Sequence, residues 1–134
     1  MIEHSVLLLG RWIIDFLFCD EKYDKKAVLG YLYDADAPYP VMRKAANLMD
    51  SDDANSGFTF NNAAEHRIVV VIGPSDNSEE FIDTLVHELH HVAVAIADYN
   101  GLDLDGETPA YIAGDSAREL AKIICKRGCS ECNR

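Results

Sequence analysis

The chain has 134 residues, enough for one domain around one core, and its 49% hydrophobic content suffices to fill that core. A formal charge of −11 argues against nucleic acid, whose phosphates need clustered Lys and Arg, and disfavours anionic membranes. The apolar run Val6-Leu7-Leu8-Leu9 is short, is preceded by Glu3 and is followed by Arg11 and Asp15. It fits neither a secretory signal nor a membrane span, so the expected location is the cytoplasm.

Residues 5–20 are strongly apolar, with Trp12, Ile13, Ile14, Phe16, Leu17 and Phe18 close together. Periodicity does not arbitrate between a buried strand and a helix there, and a strand near 12–19 is the preferred reading. Residues 24–34 read as a short helix capped by Asp24. The Asp36-Ala37-Pro38-Tyr39-Pro40 stretch breaks it, and Pro40 opens a second helix over 40–50 with Val41, Ala45, Leu48 and Met49 on its apolar side.

From Asp50 to Gly57 the chain is an acidic, turn-rich loop. It lacks the glycine and distal glutamate of an EF-hand, so a solvated loop is preferred to a calcium site. Phe58-Thr59-Phe60 alternates as a strand does, Asn61-Asn62 reads as a turn, and His66–Ile72 is a β-branched strand ended by Gly73-Pro74. Asn77 and Glu80 have the spacing of a capping box and predict a helix from about residue 78 to the Asn100-Gly101 stop.

That helix carries His87-Glu88-Leu89-His90-His91, a match to H-E-x-x-H. Two histidines one helical turn apart, about 5.4 Å, reach a single zinc ion, and the glutamate between them is placed to accept a proton from water activated by the metal. The pattern arises by chance in roughly a few per thousand chains of this length, so its context decides. At 100° per residue, Phe81, Ile82, Leu85, Val86, Leu89, Val92, Ala93 and Ile96 share a sector of about 140°. His87 and His91 lie close to the opposite side, Glu88 to one flank of the pair and His90 to the other. The alternative for the two histidines is a solvated surface pair; His90 points the wrong way to share a metal.

A catalytic zinc needs three protein ligands and one open position. Downstream candidates are Asp98, Asp103, Asp105 and Glu107. Asp98 lies about 10 Å further along the same helix. Glu107 has the best context, in Asp-Gly-Glu-Thr-Pro-Ala-Tyr: Asp105 is a cap for a new helix, Pro109 is tolerated in its first turn, and Glu107 and Tyr111 are i and i+4. A second helix packed against the first would then present Glu107 to the metal and the Tyr111 hydroxyl to a developing oxyanion. The bland alternatives are a dipole-favoured glutamate and a rim tyrosine.

His-Glu-Leu-His-His followed by Glu-Thr-Pro-Ala-Tyr resembles the glutamate-zincin (gluzincin) metallopeptidases, particularly very small versions found in phage and mobile elements. The resemblance spans roughly residues 77–124, and the two motifs carry it. It implies His87, His91 and Glu107 as zinc ligands and Glu88 as general base. It also implies a sheet beside the motif helix whose edge strand pairs with an extended peptide substrate. The strand at 66–72 is the natural candidate for that sheet. The departure from the family is size, which leaves little room for a substrate-binding subdomain.

The expected architecture is α+β, a minimal zincin-like domain over residues 1–124. The motif helix packs on a small mixed sheet with a second, C-terminal helix. Residues 125–134 form a cysteine-containing tail. Cys125, Cys129 and Cys132 would make a second, structural zinc site only with a fourth ligand that the local sequence does not provide, such as Cys19 or a histidine. A redox or disulfide pair is another option, and a tail with free thiols is preferred. The function expected is a zinc-dependent hydrolase acting on a peptide or protein. The alternative from another class is a catalytically weak or inactive zincin-fold binding or regulatory protein, and a third reading has no metal.

Overall fold

The structure is a computed structural model and describes residues 1–51 and 53–128. Among the described residues four strands and five α-helices follow one another as β1 (Ile2–Leu8), β2 (Trp12–Phe18), α1 (Lys25–Asp34), α2 (Tyr39–Asp50), β3 (Gly57–Asn62), β4 (Arg67–Ile72), α3 (Ser78–Tyr99), α4 (Glu107–Glu119) and α5 (Ala121–Gly128). The strands form one sheet in the order β1-β2-β4-β3, with β2 and β4 parallel and both edge strands antiparallel to their neighbours. The class is therefore α+β with a small mixed sheet.

The strand expected near 12–19 is β2, and the start of the apolar run belongs to β1, so the two form a hairpin. Leu9 and Gly10 both adopt positive φ, 53° and 70°, and the Arg11 amide donates to Leu8 O. Two left-handed residues in succession give the turn whose twist suits a tight hairpin. A side chain in that region is strained, so Gly10 takes one of the two positions at little cost.

Both faces of the central strands are covered. Trp12, Ile14, Phe16, Phe18, Ile68, Val70 and Ile72 pack with Phe81, Leu85, Leu89, Val92 and Ile96 of α3. Leu17, Val69 and Val71 face the other way, against Val28 and Leu32 of α1 and Ala45 and Met49 of α2. Near-continuous apolar runs such as Trp12–Phe18 and Ile68–Ile72 are what a strand buried on both faces requires. One charged group enters the second layer. Asp15 is buried, accepts a hydrogen bond from Ser5 Oγ at 2.6 Å and pairs with Arg67 at 2.9 Å.

The helix boundaries follow the capping chemistry. Asp24 accepts from Ala27 N at the start of α1, and Asn77 accepts from Glu80 N at 2.9 Å at the start of α3. Asn100 ends α3, with Gly101 at φ 67° just beyond. Two expectations are corrected. Asn61 and Asn62 remain in β3, because β3 pairs with β4 as far as Asn62 opposite Arg67. The cap of α4 is Gly106, not Asp105: the helix begins at Glu107 without a side-chain cap, and Asp105 stays in the preceding loop with its amide donating to Asp103 Oδ1 at 2.9 Å.

Candidate metal centre

α3 lies across the sheet with its apolar stripe downward, and its long amphipathic sequence decides what it exposes. His87 and His91 are both exposed, on the face away from the core. Their Nε2 atoms are 3.2 Å apart and their ring centroids 4.8 Å apart. Two nitrogens at about 2.05 Å from a tetrahedral ion would stand about 3.3 Å apart. The pair is therefore spaced to share one zinc.

Glu88 is turned to the flank of the helix that meets β3, and only 3% of it is exposed. Thr59 Oγ1 donates to Glu88 Oε2 at 2.5 Å. The approach of strand and helix depends on Gly57. A Cβ there would sit 2.6 Å from Val71 O, 3.1 Å from Thr84 Cγ2 and 3.4 Å from Glu88 Cγ. Thr84, one turn before Glu88, donates to Asn55 O at 3.3 Å and ties the loop before β3 to the same helix. A glycine, a threonine and a buried glutamate thus form one contact between sheet edge and motif helix.

Thr59 had no role in the sequence reading. The available signal was alternation: Phe58 and Phe60 pack toward α1 and α2, which sends Thr59 to the α3 face. Knowing that β3, rather than another strand, lies beside Glu88 required the tertiary structure.

The other candidates fall around this centre as follows. His90 faces the groove between α3 and α4, along with Val86, Leu89, Ala93, Pro109 and Ala113. Glu107 is the first residue of α4 and is exposed; Tyr111, one turn on, is 68% exposed. Among the described residues no group of three or more His, Cys, Asp or Glu side chains gathers in a position to hold a metal, so Glu107 does not close on the His87–His91 pair in this arrangement. Asp98, Asp103 and Asp105 are exposed and do not close on it either. Cys125 lies within α5, whereas Cys129 and Cys132 lie outside the described residues. Cys19 is buried in the α1–α2 layer, and burial pushes its thiol pKa up.

β3 is an edge strand, and hydrogen-bond parity gives its free side. The Ile13 amide donates to His66 O and the Cys19 amide to Ile72 O, so even-numbered β4 residues bond β2 and odd-numbered ones bond β3. Their β3 partners are Phe58, Phe60 and Asn62. The backbones of Gly57, Thr59 and Asn61 therefore point outward, on the edge that borders Glu88.

No helix among the described residues is long and apolar enough to cross a membrane. No protein-family model, curated protein or solved structure matches the chain.

Proposed function

We propose that this chain is a zinc-dependent hydrolase of peptide bonds, of the glutamate-zincin kind. The observation that carries the reading is the His87–His91 pair, 3.2 Å apart at Nε2, with the intervening Glu88 held against a sheet edge. In this reading His87 and His91 hold the zinc, and Glu107 is the third ligand once the first turn of α4 draws in. When bound, the zinc supplies Lewis acidity toward water and the scissile carbonyl. Glu88 accepts the proton of the attacking water and delivers it to the leaving amine. The Thr59 hydroxyl holds Oε2 of Glu88, which leaves Oε1 as the base in this reading. Tyr111, exposed one turn beyond Glu107, is the proposed donor to the developing oxyanion. The outward backbone of Gly57, Thr59 and Asn61 suits an extended peptide laid along β3 as an added strand.

One observation favours the second reading, a zincin-like binding or regulatory protein: the described residues do not gather a third ligand beside the histidine pair. Zinc per chain separates the readings when measured with Cys125, Cys129 and Cys132 replaced by serine, so that the tail cysteines add no metal. The hydrolase reading expects about one zinc, lost in His87→Ala and weakened in Glu107→Ala. It also expects a Glu88→Gln variant that keeps zinc but no longer cleaves a peptide library. Zinc binding with no cleavage by the wild type supports the binding protein, and no zinc after reconstitution sinks both.

A further inference from the structure

We propose that β1 is a self-association edge, through which two copies pair antiparallel about a two-fold axis at Ser5 to form one continuous sheet. The opposite edge, β3, borders the candidate metal centre, so this surface is separate from the proposed catalytic function.

Among the described residues β1 ends the sheet and pairs with β2 alone. The same parity that frees one side of β3 applies here. Even-numbered β2 residues turn their backbones toward β1 and meet Ile2, His4, Val6 and Leu8. Glu3, Ser5 and Leu7 therefore direct their amides and carbonyls outward. β1 is seven residues in unbroken register with neither a bulge nor a proline to interrupt pairing, and Glu3 is its one carboxylate.

The occupant follows from charge and symmetry. The chain carries a formal charge of −11, which opposes the approach of two copies over most of its surface. From Ile2 to Phe18 the ionised side chains are Glu3, Arg11 and Asp15 alone. Asp15 is buried against Arg67, and the Glu3 carboxylate accepts a hydrogen bond from Tyr31 Oη at 2.8 Å. The hairpin also exposes large apolar side chains, with Leu7 61%, Leu9 60% and Ile13 44% exposed. The β1–β2 hairpin is thus a nearly neutral, apolar edge on an acidic molecule, and a strand pairing with itself antiparallel is self-complementary.

The register is set by which residues face outward. Centring on Ser5 brings Ser5 opposite Ser5, and Glu3 opposite Leu7 in both directions. Each of these three pairs exchanges two backbone hydrogen bonds. No other centre engages all three outward residues of both copies. Two such edges and their apolar rims would bury on the order of 1,000 Å², the lower bound for a specific interface, so a micromolar dissociation constant is expected.

The test is sedimentation velocity in chelator-containing buffer, which makes the outcome independent of zinc and of the hydrolase reading. The wild type is compared with Leu7→Glu and Leu7→Lys, both at an exposed position and both checked for retained fold by circular dichroism. Leu7→Glu sets a carboxylate opposite Glu3 twice per dimer and should weaken association by about tenfold or more. Leu7→Lys sets an ammonium there and should stay within several-fold of wild type. A wild type that is monomeric into the high-micromolar range overturns the proposal. So does a pair of variants that weaken association equally, or a dimer indifferent to both.

Discussion

Replacing Thr59 by valine keeps the shape of the side chain and removes the hydroxyl that donates to Glu88 Oε2 at 2.5 Å. Because Glu88 is only 3% exposed, water does not readily replace the lost donor. Leaving a buried acceptor unpaired costs about 1–3 kcal/mol, with a charged partner toward the upper end. For a domain of this size each kcal/mol moves the melting temperature by about 3–5 °C, so a fall of roughly 6–15 °C is expected. Urea denaturation should show the midpoint moving with an unchanged slope, since the surface exposed on unfolding is the same. Thr59→Ser keeps the donor and should recover most of the loss. The double variant with Glu88→Leu removes both polar partners, and its cost should be smaller than the sum of the two single costs by about 1–2 kcal/mol. Additive costs, or a Thr59→Val variant within about 0.5 kcal/mol of wild type, would refute the claim that these two groups hold each other across the strand–helix contact.

Gly57→Ala should destabilise by about 1–3 kcal/mol in chemical denaturation, because the new Cβ would meet Val71 O at 2.6 Å, and backbone cannot yield as a flexible side chain does. Asn77→Ala should cost about 1 kcal/mol by removing the cap on the Glu80 amide, with Asn77→Ser restoring most of it. Tyr31 provides a pH signature: its hydrogen bond to the Glu3 carboxylate, with partial burial, pushes the phenol pKa from 10.0 up to about 12. A raised folded-state value means this contribution is complete below pH 10 and is lost as pH rises from 10 to about 12. Stability measured across that window should fall less steeply in Tyr31→Phe, and an unchanged slope would argue against the Glu3 contact.

Much of the local structure was already determined along the chain. Asp24 and Asn77 mark the starts of α1 and α3 because a side-chain oxygen satisfies amides that the helix itself leaves unpaired. The apolar stripe from Phe81 to Ile96 sets His87 and His91 opposite the core by helical period, one turn of backbone apart, while the side-chain rotamers bring their Nε2 atoms to 3.2 Å. What lies next to that helix was not legible, because neighbours across space leave no local pattern. The run at 5–20 did not announce a hairpin, since a strand buried on both faces has no alternation to read and the turn rests on positive φ at Leu9 and Gly10. Asp105 lost the capping role because α4 starts one residue later than its spacing suggested, at Glu107 with Gly106 as the cap. The meeting of Thr59, Gly57 and Glu88 was decided only when β3 took the sheet edge beneath α3, and the distance of Glu107 from the histidine pair only when α4 settled on the His90 flank. Sequence by itself determined which faces each element presents, because that depends on backbone period. Tertiary structure decided which faces meet, because that depends on how both layers of side chains fill the space on either side of one sheet.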